Sequence, residues 1–210
     1  MENLMNFFEK GGIMMVPLML TSIVGLAVII ERLLYLRRKK IILPQLLNII
    51  YQLTNIDDIR RAIASLKTQE GPFINIIRTT IHHAHLTKDE MKEIINDLGR
   101  QESRHLERGL VIIETVASIS PLLGLLGTVI GMIKVFQVIS VEGLGQTQSL
   151  SGGISEALLT TVVGLSIAIP TLIAYNYFNQ KVNDLVLEIE KHSSYLFQKI
   201  HQKNDDKRSH

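Results

Sequence analysis

The sequence contains no cysteine. That absence excludes a disulfide scaffold, thiol catalysis and every cysteine-based metal site. It also lacks a charge excess, with 22 Lys and Arg against 20 Asp and Glu in 210 residues. Such a balance excludes a nucleic-acid binder acting through bulk basicity, and no nucleic-acid partner is expected. With 46% apolar and 20% charged residues, the chain is not disordered, which would require low hydrophobicity and high net charge. No nucleophile elbow, P-loop or G-x-G-x-x-G run occurs. An enzyme therefore has no positive support, and neither catalytic residues nor a cofactor is expected.

The informative absences are local. Residues 11–30, 115–133 and 157–180 contain no Asp, Glu, Lys or Arg over 20, 19 and 24 residues. A membrane-spanning helix needs about 20 largely apolar residues. Burying three such helices in a soluble protein would take a larger amphipathic shell than the remaining chain supplies. The expected fold is therefore an all-α integral membrane protein with three transmembrane helices, the second and third extended into a cytoplasmic helical bundle. The segment before the first span has a net negative charge, and no small-x-small site follows it, so this span reads as an uncleaved anchor.

The basic cluster Arg32, Arg37, Arg38, Lys39 and Lys40 directly follows the first span. Lys and Arg mark the cytoplasmic flank. An external segment 1–12 then leads to a first span at 13–36 and a cytoplasmic helical region at 37–110. A second span at 111–138, an outer loop at 139–150, a third span at 151–180 and a cytoplasmic tail at 181–210 complete the topology. Of the 22 Lys and Arg, 20 fall within 31–114 and 181–210, leaving only Lys10 and Lys134 outside. A fourth span at 41–56 would break this partition. That segment instead reads as an amphipathic helix, with Leu46, Leu47, Ile49, Ile50 and Leu53 opposite Gln45, Asn48 and Gln52.

Residues 57–67 and 72–86 have helical patterns, separated by Gly71-Pro72. Thr87 and Glu90 form a capping box opening a helix over about 88–114, expected to run straight into the second span. Val182, Leu185, Val186, Ile189, Leu196 and Ile200 form a stripe that continues the third span as a helical stalk. His82, His83 and His85 lack a carboxylate at ligand spacing and read as a surface cluster rather than a metal site.

The second span is rich in small residues. Ser120, Gly124 and Thr128 recur every four positions, as do Gly127 and Gly131. Small residues at this spacing let helices approach closely in lipid, where packing drives association. The third span carries one ionisable residue, Glu156, followed by Thr160, Gly164 and Ala168 on one face, with Thr161 beside it. If the helix starts near Ser151, Glu156 lies about one turn in. An ionisable residue inside a span is a functional candidate by default. A carboxyl can load and release a proton, and threonine hydroxyls can extend the relay. The alternative is that Glu156 sits among the outer headgroups and only sets where the helix begins. Lys134 either snorkels to the outer headgroups or faces a pathway and opposes proton access.

The run Ser120-Pro-Leu-Leu-Gly-Leu-Leu-Gly-Thr-Val-Ile-Gly-Met132 resembles the second-span signature of the MotA/TolQ/ExbB proton-channel family. Gly153-Ile-Ser-Glu-Ala-Leu-Leu-Thr-Thr161, with Gly164-Leu, Ala168-Ile-Pro170 and Tyr175-Asn176, resembles its third-span signature. The resemblance is close over about 110–180 and topological elsewhere. It implies a homo-oligomer, a pentamer in this family, in the bacterial inner membrane. The ring would surround single-span partners of the ExbD/TolR type, with a TonB-like protein as a further partner. Thr128 and Thr161 match the family's pore-lining threonines, Glu156 its third-span glutamate, and Pro121 and Pro170 prolines that bend the spans. Three spans with one moderate cytoplasmic loop resemble the ExbB branch, then TolQ, rather than the four-span flagellar branch. A structural scaffold remains the competing reading: it uses Gly124, Gly127, Gly131 and Gly164 for packing and gives Glu156 no transport role.

Overall fold

The structure, a computed structural model, describes residues 11–37, 41–52, 61, 71–83, 85–143 and 147–208. They form six helices: α1 (Met15–Tyr35), α2 (Pro44–Gln52), α3 (Pro72–His82), α4 (Lys88–Glu107), α5 (Leu110–Glu142) and α6 (Thr147–Arg208). No strand occurs among the described residues. The chain divides into two compact units, Met1–Arg32 with Gly109–Tyr177, and Leu33–Arg108 with Phe178–His210.

In the first unit α1, α5 and the first part of α6 are long and apolar enough to cross a bilayer. Their outward faces are greasy: Val16, Leu20, Leu122, Leu158 and Ile173 are all exposed. Such faces suit lipid, since a helix satisfies its own backbone hydrogen bonds. Small residues make the inward contacts. A Cβ added at Gly25 of α1 would lie 3.0 Å from Val116 Cγ1 and 3.8 Å from Thr171 Oγ1, so α1 packs on both other helices. Pro121 and Pro170 lie inside α5 and α6, which continue through them. Each proline removes one backbone donor from its helix.

In the second unit an apolar core gathers α2, α3, α4 and the tail of α6. Leu46, Ile50, Phe73, Ile76, Ile77, Met91, Ile95 and Leu106 are buried, and so are Val182, Leu185, Ile189, Leu196 and Ile200 of the expected stripe, with Val186 half-buried. The capping box at α4 forms. The Thr87 backbone N–H donates to Glu90 at 2.9 Å, and Thr87 Oγ1 accepts from the Glu90 N–H at 3.4 Å. The Thr87 hydroxyl and N–H together hold the Glu90 carboxyl below its ordinary range. Across helices, Tyr51 bonds His192 Nδ1 at 3.1 Å, and Lys199 donates to the Tyr51 carbonyl at 2.9 Å.

Four sequence expectations change. The helix expected over 88–114 breaks, because α4 stops at Glu107 and Gly109 adopts a left-handed backbone (φ 102°) before α5 begins. Glycine tolerates that conformation without a Cβ clash. Arg32, read as part of a basic flank, is buried beside that glycine and bonds Glu31 at 2.7 Å. The helix over 72–86 ends at His82, where the His83 N–H and ring Nδ1 both bond the Thr79 carbonyl. The connection between the second and third spans, expected over 139–150, is shorter, because α5 runs to Glu142 and α6 starts at Thr147. Positive φ at Gly143, whose N–H caps the Ile139 carbonyl, ends α5. Most of the expected helix 57–67 and the residues after 52 in the 41–56 segment lie outside the described residues.

Candidate functional site

The site lies in the first unit, where α5 and α6 run antiparallel. Small residues bring the two helices together. A Cβ at Gly124 would lie 3.0 Å from the Thr160 carbonyl oxygen and 3.1 Å from Thr161 Cα. One at Gly131 would lie 2.8 Å from Ala157 Cβ, and one at Gly164 would lie 2.6 Å from the Ser120 carbonyl oxygen. At Gly127 it would overlap the Thr160 side chain. Gly124, Gly127, Gly131 and Gly164 thus share a single seam, with the Ser120 hydroxyl buried in it and bonded to Val116.

The three threonines sit differently in this seam. Thr160 is buried and donates to Ala157 O at 2.8 Å and Gly124 O at 3.4 Å. Thr161, half-buried, donates to the same Gly124 carbonyl at 3.2 Å. Thr128 is on α5, half-buried, and donates to Leu125 O of its own helix at 2.6 Å. The row Thr160, Gly164, Ala168 is therefore closed against α5 within one protomer. Glu156 stands above it, more than two turns inside α6 rather than about one, because the helix begins earlier than Ser151.

Glu156 has a partner on α5. Lys134 Nζ donates to its Oε1 at 2.6 Å, with the lysine side chain 47% and the glutamate side chain 21% exposed. A third element closes in from the start of the chain. Gly12, at φ +64°, packs so closely that an added Cβ would overlap the Glu156 carboxylate. Lys134, Glu156 and Gly12 thus form one cluster, contributed by α5, α6 and the turn before α1.

Sequence reasoning singled out Glu156 and the threonines but left the role of Lys134 open, and it did not select Gly12. The pairing did leave a signal. Lys134 and Glu156 are equidistant from residue 145, in the short connection between the two helices. Two antiparallel helices of equal rise place such residues at the same height. Nothing comparable marks Gly12, whose role depends on tertiary packing. The histidine cluster lies in the second unit, its His82 and His83 rings 4.9 Å apart. No metal-holding group of side chains occurs among the described residues.

An open apolar groove of about 700 Å³ runs along α6, lined by Leu150, Ile154, Leu158 and Val162 among others. These four residues recur every four positions and form one face of the helix.

Residues 57–191 match the model of the MotA/TolQ/ExbB proton channel family. The chain is similar to a putative biopolymer transport protein ExbB homolog of Methanothermobacter thermautotrophicus, 25% identical over 187 residues, 89% of this chain and 66% of that protein. It is 33% identical over 171 residues to a putative biopolymer transport protein ExbB-like 3 of Synechocystis, covering 80% of this chain and 81% of that one. It is also similar to the Tol-Pal system protein TolQ of Haemophilus influenzae, 41% identical over 83 residues, 40% of this chain and 36% of that protein.

Proposed function

We propose a function from one premise: the chain belongs to the MotA/TolQ/ExbB proton channel family. It is the multi-span subunit of an inner-membrane proton channel that uses the proton-motive force to energise transport across the envelope, in the manner of ExbB. Copies of the chain form a ring, a pentamer, around single-span partners of the ExbD/TolR type, with a TonB-like protein as a further partner. The N-terminus lies outside and the C-terminus in the cytoplasm, a placement supported by the partition of basic residues.

The observation that carries this reading is Glu156. It is a carboxylate within a helix long and apolar enough to span, more than two turns from the start of α6, and it is paired with Lys134. Ionisable groups inside spans mark ion pathways. Thr160, one turn further on, Thr161 beside it and Thr128 on α5 supply hydroxyls that can exchange donor and acceptor roles along the path. The exposed apolar face at Ile154, Leu158 and Val162 is available for a neighbouring copy. Pro121 and Pro170 locally weaken their helices and give the spans a place to bend.

The test is proton flux, followed with a pH-sensitive dye in vesicles holding the assembled complex with its single-span partner. Glu156→Ala and Thr161→Val are each expected to abolish flux while the ring still assembles, as judged by native mass spectrometry. Full flux in both variants would sink the proposal. A TolQ-like role in envelope maintenance shares this chemistry, and TolQ of Haemophilus influenzae is among the relatives, at 41% identity over 83 residues. A structural scaffold predicts the opposite pattern, with Gly127→Leu severe and Glu156→Gln silent.

A further inference from the structure

Glu156 does not draw its counter-charge from solution. The Lys134 ammonium holds Oε1 at 2.6 Å, and the Gly12 backbone packs against the same carboxylate oxygen. Further along the seam, one to two turns from Glu156, the hydroxyls are engaged as well. The Gly124 carbonyl accepts from both Thr160 and Thr161, at 3.4 and 3.2 Å, and the Thr160 hydroxyl also bonds Ala157 O at 2.8 Å. A hard metal cation stripped of water needs several oxygen ligands at once. Here the carboxylate is already bound by a compact point charge, and an alkali ion arriving at Glu156 would meet that charge at contact distance. A proton needs no ligand shell; it adds to one carboxylate oxygen and turns it into a donor.

We propose that Lys134 is a tethered counter-cation that closes Glu156 to Na+ and K+ and leaves the proton as the one cation able to neutralise it in exchange. Gly12 shapes the space that keeps the pair together. Lys134 is in this sense a specificity-determining residue. The proposal rests on the reading of Glu156 as an ion-pathway residue, but its test does not use conduction.

The purified full chain is compared in NaCl and in choline chloride at equal ionic strength, by thermal unfolding midpoint and by 23Na NMR line width. The wild type and Lys134→Arg are expected to respond identically to the two salts. Lys134→Met and Lys134→Gln are expected to gain Na+-specific stabilisation and line broadening, with apparent Na+ affinity rising about tenfold or more. Adding Glu156→Gln to either variant should remove the gain. Should the Lys134 variants fail to fold, Gly12→Ala provides a second route, because its Cβ displaces the carboxylate from the ammonium while both charges remain; it too should gain a Na+ response. A wild-type Na+ response that Glu156→Gln abolishes would overturn the proposal, as would folded Lys134 or Gly12 variants with no gain. Failure of the channel reading looks different: unchanged proton flux in Glu156→Ala, with the Na+ response of the Lys134 variants intact.

Discussion

Replacing Gly164 with alanine tests the α5–α6 seam most directly. The new Cβ would lie 2.6 Å from the Ser120 carbonyl oxygen, 3.1 Å from Gly124 Cα and 3.3 Å from Gly124 N. All three are backbone atoms of α5, so no side chain can rotate away. The closest approach falls about 0.8 Å short of the 3.4 Å at which ordinary contact begins, and the helices must part by a comparable distance. Overpacking of this kind costs about 1–3 kcal/mol. Separation also stretches the Thr161–Gly124 hydrogen bond, already 3.2 Å long, whose loss adds about 1 kcal/mol. The expected destabilisation is therefore about 2–4 kcal/mol. Gly152 is the matched control, because it lies in the same helix with nothing within 4 Å of an added Cβ. There alanine should be neutral or stabilising by up to about 1 kcal/mol through helix propensity. The assay is unfolding of the purified chain in mixed micelles by SDS titration, followed by far-ultraviolet circular dichroism. Equal stability of Gly164→Ala and Gly152→Ala would refute the packing argument.

Two predictions concern other parts of the chain. Burial raises the Glu190 carboxyl above its ordinary value of 4.5, with Arg100 partly opposing. The folded state then holds a proton that the unfolded state releases, so folding loses stability as pH climbs from that value through the raised one. Glu190→Gln should stabilise the chain at neutral pH, with the advantage vanishing in acid; an advantage that grew in acid would contradict the sign. Gly109→Ala must place a Cβ in the left-handed region at φ +102° and 3.0 Å from Arg32 Nε. A loss of about 1–3 kcal/mol is expected, read in the same SDS titration, and a silent substitution would show that the break at Gly109 is not required.

Much of this was legible in the primary structure, and the physics explains which parts. The spans were visible because the absence of charge over 19, 20 and 24 residues is a bulk property that no local contact can override. The Thr87–Glu90 capping box was visible because both partners lie within one helical turn. The tail stripe from Val182 to Ile200 was visible because burial follows the helical period. The Gly109 break was not, since a single glycine ahead of an apolar run is equally compatible with a continuous helix. Nor was the closing of the Thr160 and Thr161 hydroxyls onto Gly124 legible, because spacing along one helix does not say which helix it will face. The Gly12 contact depends on how the turn before α1 packs across α6, which no short-range pattern encodes.

The Lys134–Glu156 pair also bears on how the protein enters the bilayer. A lone Lys or Asp at the centre of a span costs about 2.5–3.5 kcal/mol to insert on translocon scales. Here the opposite charges sit on consecutive helices joined by a connection of a few residues, 143–146. They can cancel as soon as the second arm of the hairpin follows the first, before any other subunit is present. The α5–α6 hairpin can therefore carry this pair into lipid with its two charges already cancelled, leaving Glu114 and Glu142 toward the ends of α5.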